Sequence, residues 1–302
     1  MRFELRRSSI IVAGAVAGVA MIAARAGAQA GPPGTDIFLA SLSVSGSKVT
    51  VGTPTNITAR AGYDNQPSFT PDGASILFTS IRADGQSDIY RYDLASRRTS
   101  QVTRTPESEY SPTVTPGDER FSVIRVEKDS AQRLWSFALD GSDPRVIVPA
   151  LKPVGYHAWL DDGTLAMFVL GNPNALVHGD PATGRVDTLA RRIGRSLARI
   201  PGTHAFSYSQ TLDSATWIVS RAWPGTATEK IVRLPNGVQD IAWLGSDLVV
   251  CGVGSTLQIW RRGTNGWSIV ADFRAAGPKH ITRLAISPDQ KWIAFVADDA
   301  NG

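Results

Sequence analysis

Between Tyr63 and Thr103 apolar and polar residues alternate in short runs, and turn-forming residues separate the runs. Ala74 to Ser80 sets Ile76 and Phe78 against polar neighbours, the period of a strand with one buried face. The preceding Thr70-Pro71-Asp72-Gly73 combines the pre-set φ of proline with a glycine, and so predicts a tight turn from an earlier extended run. A second turn at Ala83 to Gln86 leads into Asp88 to Asp93, rich in residues that favour strands. Leu94 to Arg98 predicts a third turn, and Thr99 to Thr103 a last short strand. Four antiparallel strands in about forty residues form the unit of a β-propeller blade.

One blade cannot bury both of its faces, so the reading requires copies. Inner strands recur near Tyr63, Tyr110, Tyr156, Leu197, Val238 and Ile281. Ser111-Pro112-Thr113-Val114-Thr115-Pro116-Gly117-Asp118 repeats Gln66 to Gly73, and Ala158 to Gly163 followed by Met167 to Leu170 repeats it again. The fourth and fifth copies have lost the turn but keep strands at His204 to Ser209, Thr216 to Ser220, Leu248 to Val250 and Leu257 to Trp260.

The sixth copy is split between the two ends of the chain. Ile286 to Gln290 matches Phe69 to Gly73, and Ile293, Phe295 and Gly302 keep the offsets of Ile76, Phe78 and Gly85. Thr35 to Leu42 reads like Ser87 to Leu94, and Asn56-Ile57-Thr58 like Gln101-Val102-Thr103. The expected fold is all-β: a six-bladed β-propeller whose last blade is closed by N- and C-terminal strands, which leaves only short, protected edges.

Residues 1–30 stand outside this pattern. Arg2, Arg6 and Arg7 precede an apolar run from Ile10 to Ala24, and Ala28-Gln29-Ala30 has the form of a cleavage site. The segment reads as a signal peptide; its apolar run falls short of the roughly 20 residues that cross a bilayer. Arg6-Arg7 admits the twin-arginine route, although Leu5 and Ser8-Ser9 fit that consensus poorly. The organisation expected is a signal peptide over 1–30 and one propeller over 31–302, periplasmic or secreted after cleavage near Ala30, with no stable membrane insertion and no cysteine at the cleavage site for a lipid.

The leader holds four of the 31 basic residues and one of the 27 acidic ones, so the remaining chain is close to neutral. No basic stripe interleaved with aromatics occurs, which argues against a nucleic-acid surface. Arg191-Arg192-Ile193-Gly194-Arg195 reads most simply as a solvated loop between the third and fourth blades, with a patch for an anionic ligand as the other role open to it. Cys251, the single cysteine, reads as a small core residue.

The blade consensus Pro-x-Phe-Thr-Pro-Asp-Gly-x-x-Ile-x-Phe-Thr-Ser-x-Arg-x-x-Gly-x-x-Asp-Ile-Tyr resembles the WD-like repeat of the TolB-type six-bladed propellers. The resemblance covers nearly all of 31–302, closely in the first blade and weakly in the fourth and fifth. It implies an exported, non-catalytic protein of the cell envelope, acting as a monomer through a protein or peptide partner. TolB proteins carry an α/β domain before the propeller, for which this chain has no counterpart. The repeat is shared with the propellers of prolyl-oligopeptidase-type hydrolases.

Catalytic motifs are absent from the sequence: there is no Gly-x-Ser-x-Gly elbow, no His-Glu-x-x-His, no Cys-x-x-Cys and no P-loop. His157, His178, His204 and His280 lack ligand spacing, and Asp72, Asp161-Asp162 and Asp298-Asp299 fall in turns that aspartates cap. No catalytic residue, metal ligand or cofactor is expected. The eight tryptophans, Trp159, Trp243 and Trp292 among them, suit the layers between blades.

Propellers converge loops and inner strands on an axial channel, the natural binding place. The residue just before the first apolar position of each inner strand is Gln66, Ser111, His157, Ser196, Asp240 and Arg283. This ring is polar, and Asp240 and Arg283 fall in neighbouring blades. Their opposite charges suit a ligand with a carboxylate and an amine or amide, such as a peptide terminus, with His157 as the group that titrates; pairing with one another around buried water is the other role open to them. An enzyme of the calcium-dependent lactonase-like or lyase-like propeller type is the alternative. Asp64, Asn65 and Glu109 lie near enough in sequence to keep it open, although one aspartate among six positions is few for calcium.

Overall fold

A computed structural model describes residues 32–117 and 119–298. The leader and its cleavage site, Asp118, Asp299 and the match of Gly302 to Gly85 lie outside the described residues. From Pro33 onward these residues form one compact unit of six antiparallel sheets.

In the first blade the strands run Asp64–Phe69, Ser75–Ile81, Ser87–Asp93 and Arg98–Gln101, in that order from the inside outward. The second to fifth blades repeat the order. Their inner strands are Ser108–Val114, Val154–Trp159, Ile193–Arg199 and Ile241–Leu244. Inner strands of neighbouring blades touch, except that Val154–Trp159 of the third blade packs on Arg120–Val126 and Gln132–Ala138 of the second, and Thr282–Ile286 of the sixth blade touches both the fifth and the first, which closes the ring.

The sixth blade is assembled from both ends of the chain. Thr35–Ser45 pairs antiparallel with Trp292–Asp298, with Phe38 opposite Phe295 and Ala40 opposite Ile293. Lys48–Val51 and Thr55–Asn56 add outside it, so Asn56 sits at the edge expected from its likeness to Gln101.

Alternation turns one face of every strand toward each neighbouring blade. The buried apolar side chains accordingly fall into six clusters, one per blade interface. Phe38, Phe295 and Phe273 stack in series at the junction of the fifth and sixth blades, with ring centroids 5.7 and 5.4 Å apart. Cys251 is fully buried in the cluster between the fourth and fifth blades, where desolvation pushes its thiol up to about 12. Trp243 and Trp159 occupy equivalent positions, and each donates its indole N–H to a serine of the preceding blade, Ser207 at 2.8 Å and Ser122 at 2.9 Å. Trp292 departs from the expectation. It lies 37% exposed at the first position of its strand, whose buried positions on both faces run from Ile293 to Ala297.

Candidate functional site

Inner strands end their regular pairing early, and this break creates the site. Register shifts fall between Asn65 and Ser68, between Tyr110 and Thr113, and between Thr282 and Ala285. Within these bulges Gln66, Ser111 and Arg283 adopt left-handed φ of 58, 54 and 46°. Such a φ costs a non-glycine residue about 1 kcal/mol or more, and a bulge re-aims the side chain it carries. The three residues hold one offset in three blades and line one axial cavity of about 390 Å³.

Ser196 and Asp240 line the same cavity, so five of the six residues singled out from sequence meet there. His157 does not line it, and Tyr156 stands in its place. In the third blade the register shift falls earlier, between Val154 and Tyr156, so the position equivalent to Gln66 is Tyr156 and the next side chain turns into the blade interface.

Buried there, His157 sets its Nε2 2.6 Å from Ser122 Oγ. That hydroxyl donates to the carbonyl of Thr113 and accepts from the Trp159 indole. Its single proton is committed, so Nε2 must be the donor to Ser122, leaving Nδ1 a bare acceptor without a partner. Desolvation pulls the imidazole down to about 3. A neutral ring whose bonded nitrogen already carries its proton cannot serve Ser122 as a base, and neither residue faces the channel.

Arg195 joins the site from a stretch read as a solvated loop. Only its beginning is as expected: Arg192 turns at a φ of 59°, and Ile193–Arg199 is the inner strand of the fourth blade. The signal was the alternation that resumes at Ile193, overlooked beneath the density of arginines. Arg195 forks onto Asp240, with Nε 2.9 Å from Oδ1 and Nη2 2.5 Å from Oδ2. Arg283 gives a second, longer bond to Asp240 Oδ1 at 3.3 Å, so the expected pair exists but is shared. Its Nη2 donates to the Tyr156 hydroxyl at 2.7 Å, and its guanidinium lies 4.9 Å from the centre of that ring.

Blades three and six stand opposite one another, so the Arg283–Tyr156 contact crosses the axis. Together with the Arg195–Asp240 fork it makes a floor. Below that floor a space of about 160 Å³ also borders Arg195 and Asp240; above it the larger cavity has walls that include Phe69, Pro112, Trp243 and Ile286. The floor is cationic, two guanidiniums against one carboxylate. Gln66 is committed to the scaffold: its Oε1 accepts from Thr79 Oγ1 and from the backbone N–H of Ser111, each at 2.9 Å. Ser111 Oγ has no partner. Tyr63 lies close enough to feel both arginines, yet burial outweighs them and raises its phenol to about 12.

The acidic residues near the other end of the inner strands each lie beside an arginine, although neither oxygen of Asp64 has a hydrogen bond. Asp64 is fully buried between Arg60 at 3.4 Å and Arg82 at 3.7 Å. Glu109 accepts from Thr103 and Thr105, with Arg125 at 3.5 Å, and burial raises it to about 7. No group of three or more His, Cys, Asp or Glu side chains suited to a metal occurs among the described residues. Calcium takes six to eight oxygens, whereas the one carboxylate lining the cavity, Asp240, already pairs with two cations. The site does not fit that ion.

No family model matches the sequence. Among solved structures, a putative TolB from Agrobacterium tumefaciens superposes with a TM-score of 0.70 at 16% identity, over 87% of this chain and 98% of that one. The fold is the six-bladed propeller of that protein. A TolB from Acinetobacter baumannii matches at 19% identity and a TM-score of 0.51, over 63% of this chain, which spans half of that protein's length. A gluconolactonase from Xanthomonas campestris superposes at 10% identity with a TM-score of 0.61, over 89% of this chain and 99% of that one.

Proposed function

We propose that the chain is exported, loses residues 1–30, and acts as a monomer in the periplasm or outside the cell, as a non-catalytic binding protein of the cell envelope. The floored axial cup takes a segment of a protein or peptide partner. One observation carries the reading: side chains from four blades converge on a polar floor beneath apolar walls, a pocket with a few fixed polar groups at its base. The likeness to TolB propellers and the leader at residues 1–30 are consistent with it.

The enzymatic alternative has the gluconolactonase likeness in its favour. Against it stands the donor set, since a cation-holding channel and a floor of two arginines are opposite electrostatic designs. Fold likeness decides neither, because one fold hosts many functions.

Capture tests the proposal. The protein, expressed with its own leader and recovered from the envelope fraction after crosslinking, should bring down a partner whose crosslinks map to Pro112, Trp243 and Ile286. Crosslinks confined to the outer strands or the opposite face would overturn the cup as the binding site.

A further inference from the structure

The inner end of the cup, floored by Arg195, Asp240, Arg283 and Tyr156, is cationic. Asp240 neutralises one of the two guanidiniums and leaves one positive charge over. Donors are left over as well: Nη1 of Arg195 and Nε of Arg283 have no acceptor among the described residues. Planar guanidinium forks of this kind match a carboxylate.

Geometry decides which carboxylate can arrive. The floor sits at the level of Arg283, and the wall continues along the strand to Ile286, about 10 Å further at about 3.3 Å per residue. An Asp or Glu side chain on a segment crossing the rim is too short to span that depth. A hairpin would have to seat two strands about 4.8 Å apart in a cavity of about 390 Å³. A single chain end enters with its carboxylate leading. At the rim a second space of about 520 Å³ opens along blades two to four, sharing Thr113 and Leu197 with the cup and lined by Val114, Trp159 and Leu160, a seat for apolar side chains upstream of the terminus.

We infer that the cup recognises the free C-terminal carboxylate of its partner, held by Arg283 and Arg195, with apolar residues before it. This rests on the peptide-binding reading above and adds the chemistry and polarity of the ligand. His157 borders the second space and not the floor, and Asp240 already accepts three bonds from the two arginines, so the floor favours an anion over a ligand amine.

The test uses acetylated hexapeptide pools randomised over all residues except Asp and Glu, made as free acids or as C-terminal amides, and passed over the immobilised full protein. Mass spectrometry of the retained peptides should show free acids enriched at least tenfold over amides. Arg283→Met should bring that preference below threefold, while Arg283→Lys, which keeps the charge, should preserve most of it; circular dichroism verifies that both fold. Loss in both variants alike would overturn the role of charge. Equal retention of acids and amides would overturn the inference yet leave a peptide site standing. An amidated pool that includes Asp and Glu, retained as well as the free acids, would transfer recognition to side chains and overturn it too. If neither pool is retained the inference fails, and the crosslinking experiment then decides separately whether the cup binds a partner at all.

Discussion

At pH 5.5 two buried groups pull the stability of this protein in opposite directions, and replacing either should reveal the other. Glu109 is fully buried, and desolvation raises it from 4.5 to about 7. Between those values the native state holds a proton that the unfolded chain has released, so this group's contribution falls as pH rises. His157 works the other way. Its pKa drops from 6.5 to about 3, so across that range the unfolded chain takes up a proton the native state refuses, and stability falls as pH falls. Each slope is about 1.4 kcal/mol per pH unit, and from pH 4.5 to 6.5 they cancel. Glu109→Gln keeps a side chain for Thr103 and Thr105 but cannot titrate. Its unfolding free energy relative to the parent should therefore climb by about 3 kcal/mol between pH 4.5 and 7. His157→Gln keeps an N–H for Ser122, and relative to the parent it should lose about 3 kcal/mol from pH 4.5 to 6.5. Urea titrations followed by tryptophan fluorescence across pH 4 to 8 measure both differences. If the difference curves are flat, neither group is desolvated as the packing implies.

Ring closure should be costly to break: Phe295→Ala, which opens the stack with Phe38 and Phe273, should lose about 3 to 5 kcal/mol, and a loss below 1 kcal/mol in urea unfolding would contradict the closure. Removing residues 36–58 should leave an exposed strand edge at Trp292–Asp298 and a protein that aggregates at concentrations where the parent stays dispersed, measured by light scattering. Trp159→Phe and Trp243→Phe each remove an indole donor to a buried serine, and should cost about 1 kcal/mol apiece; a large inequality between them would mean the two repeats are not equivalent. Mass spectrometry of the exported protein should find Gly31 at the N-terminus, and intact Met1 in the membrane fraction would refute the processing.

Legibility followed local signals. The Thr-Pro-Asp-Gly turn and the spacing of Ile76 and Phe78 are short-range features, and repeating them exposed six blades and the strand exchange at the ends. Five channel residues were readable for the same reason, because a fixed offset from a turn becomes a fixed place in a ring. His157 was misplaced by a single residue: the third blade shifts register before Tyr156 rather than after it, and a one-residue slip sends a side chain to the other face. Arg195 was hidden by composition, since three arginines within five residues look like surface until the strand resuming at Ile193 is seen. The floor itself could not be read from the chain. Arg283 and Tyr156 are 127 positions apart and meet only because blades three and six face one another across the ring.

The floor also makes a prediction in which affinity and stability part company. Asp240 holds both guanidiniums in place, which favours a bound carboxylate by preorganisation, yet it is itself a negative charge beside the incoming one. Ordering a long side chain costs about 0.5 to 1.5 kcal/mol, so freeing two arginines forfeits at most about 3. Two like unit charges about 5 Å apart repel by about 3 kcal/mol at an effective dielectric of about 20. Arg195 stays three-quarters covered and Arg283 keeps its bond to Tyr156, so the forfeited ordering is well short of that ceiling and the charge effect prevails. Asp240→Asn should therefore bind free-acid peptides more tightly than the parent, while unfolding at lower urea because two partly buried cations have lost their anion. Isothermal titration alongside urea unfolding reads both. Weaker binding together with lower stability would mean that Asp240 positions the arginines more than it repels the ligand, and an unchanged affinity would take the carboxylate off the floor altogether.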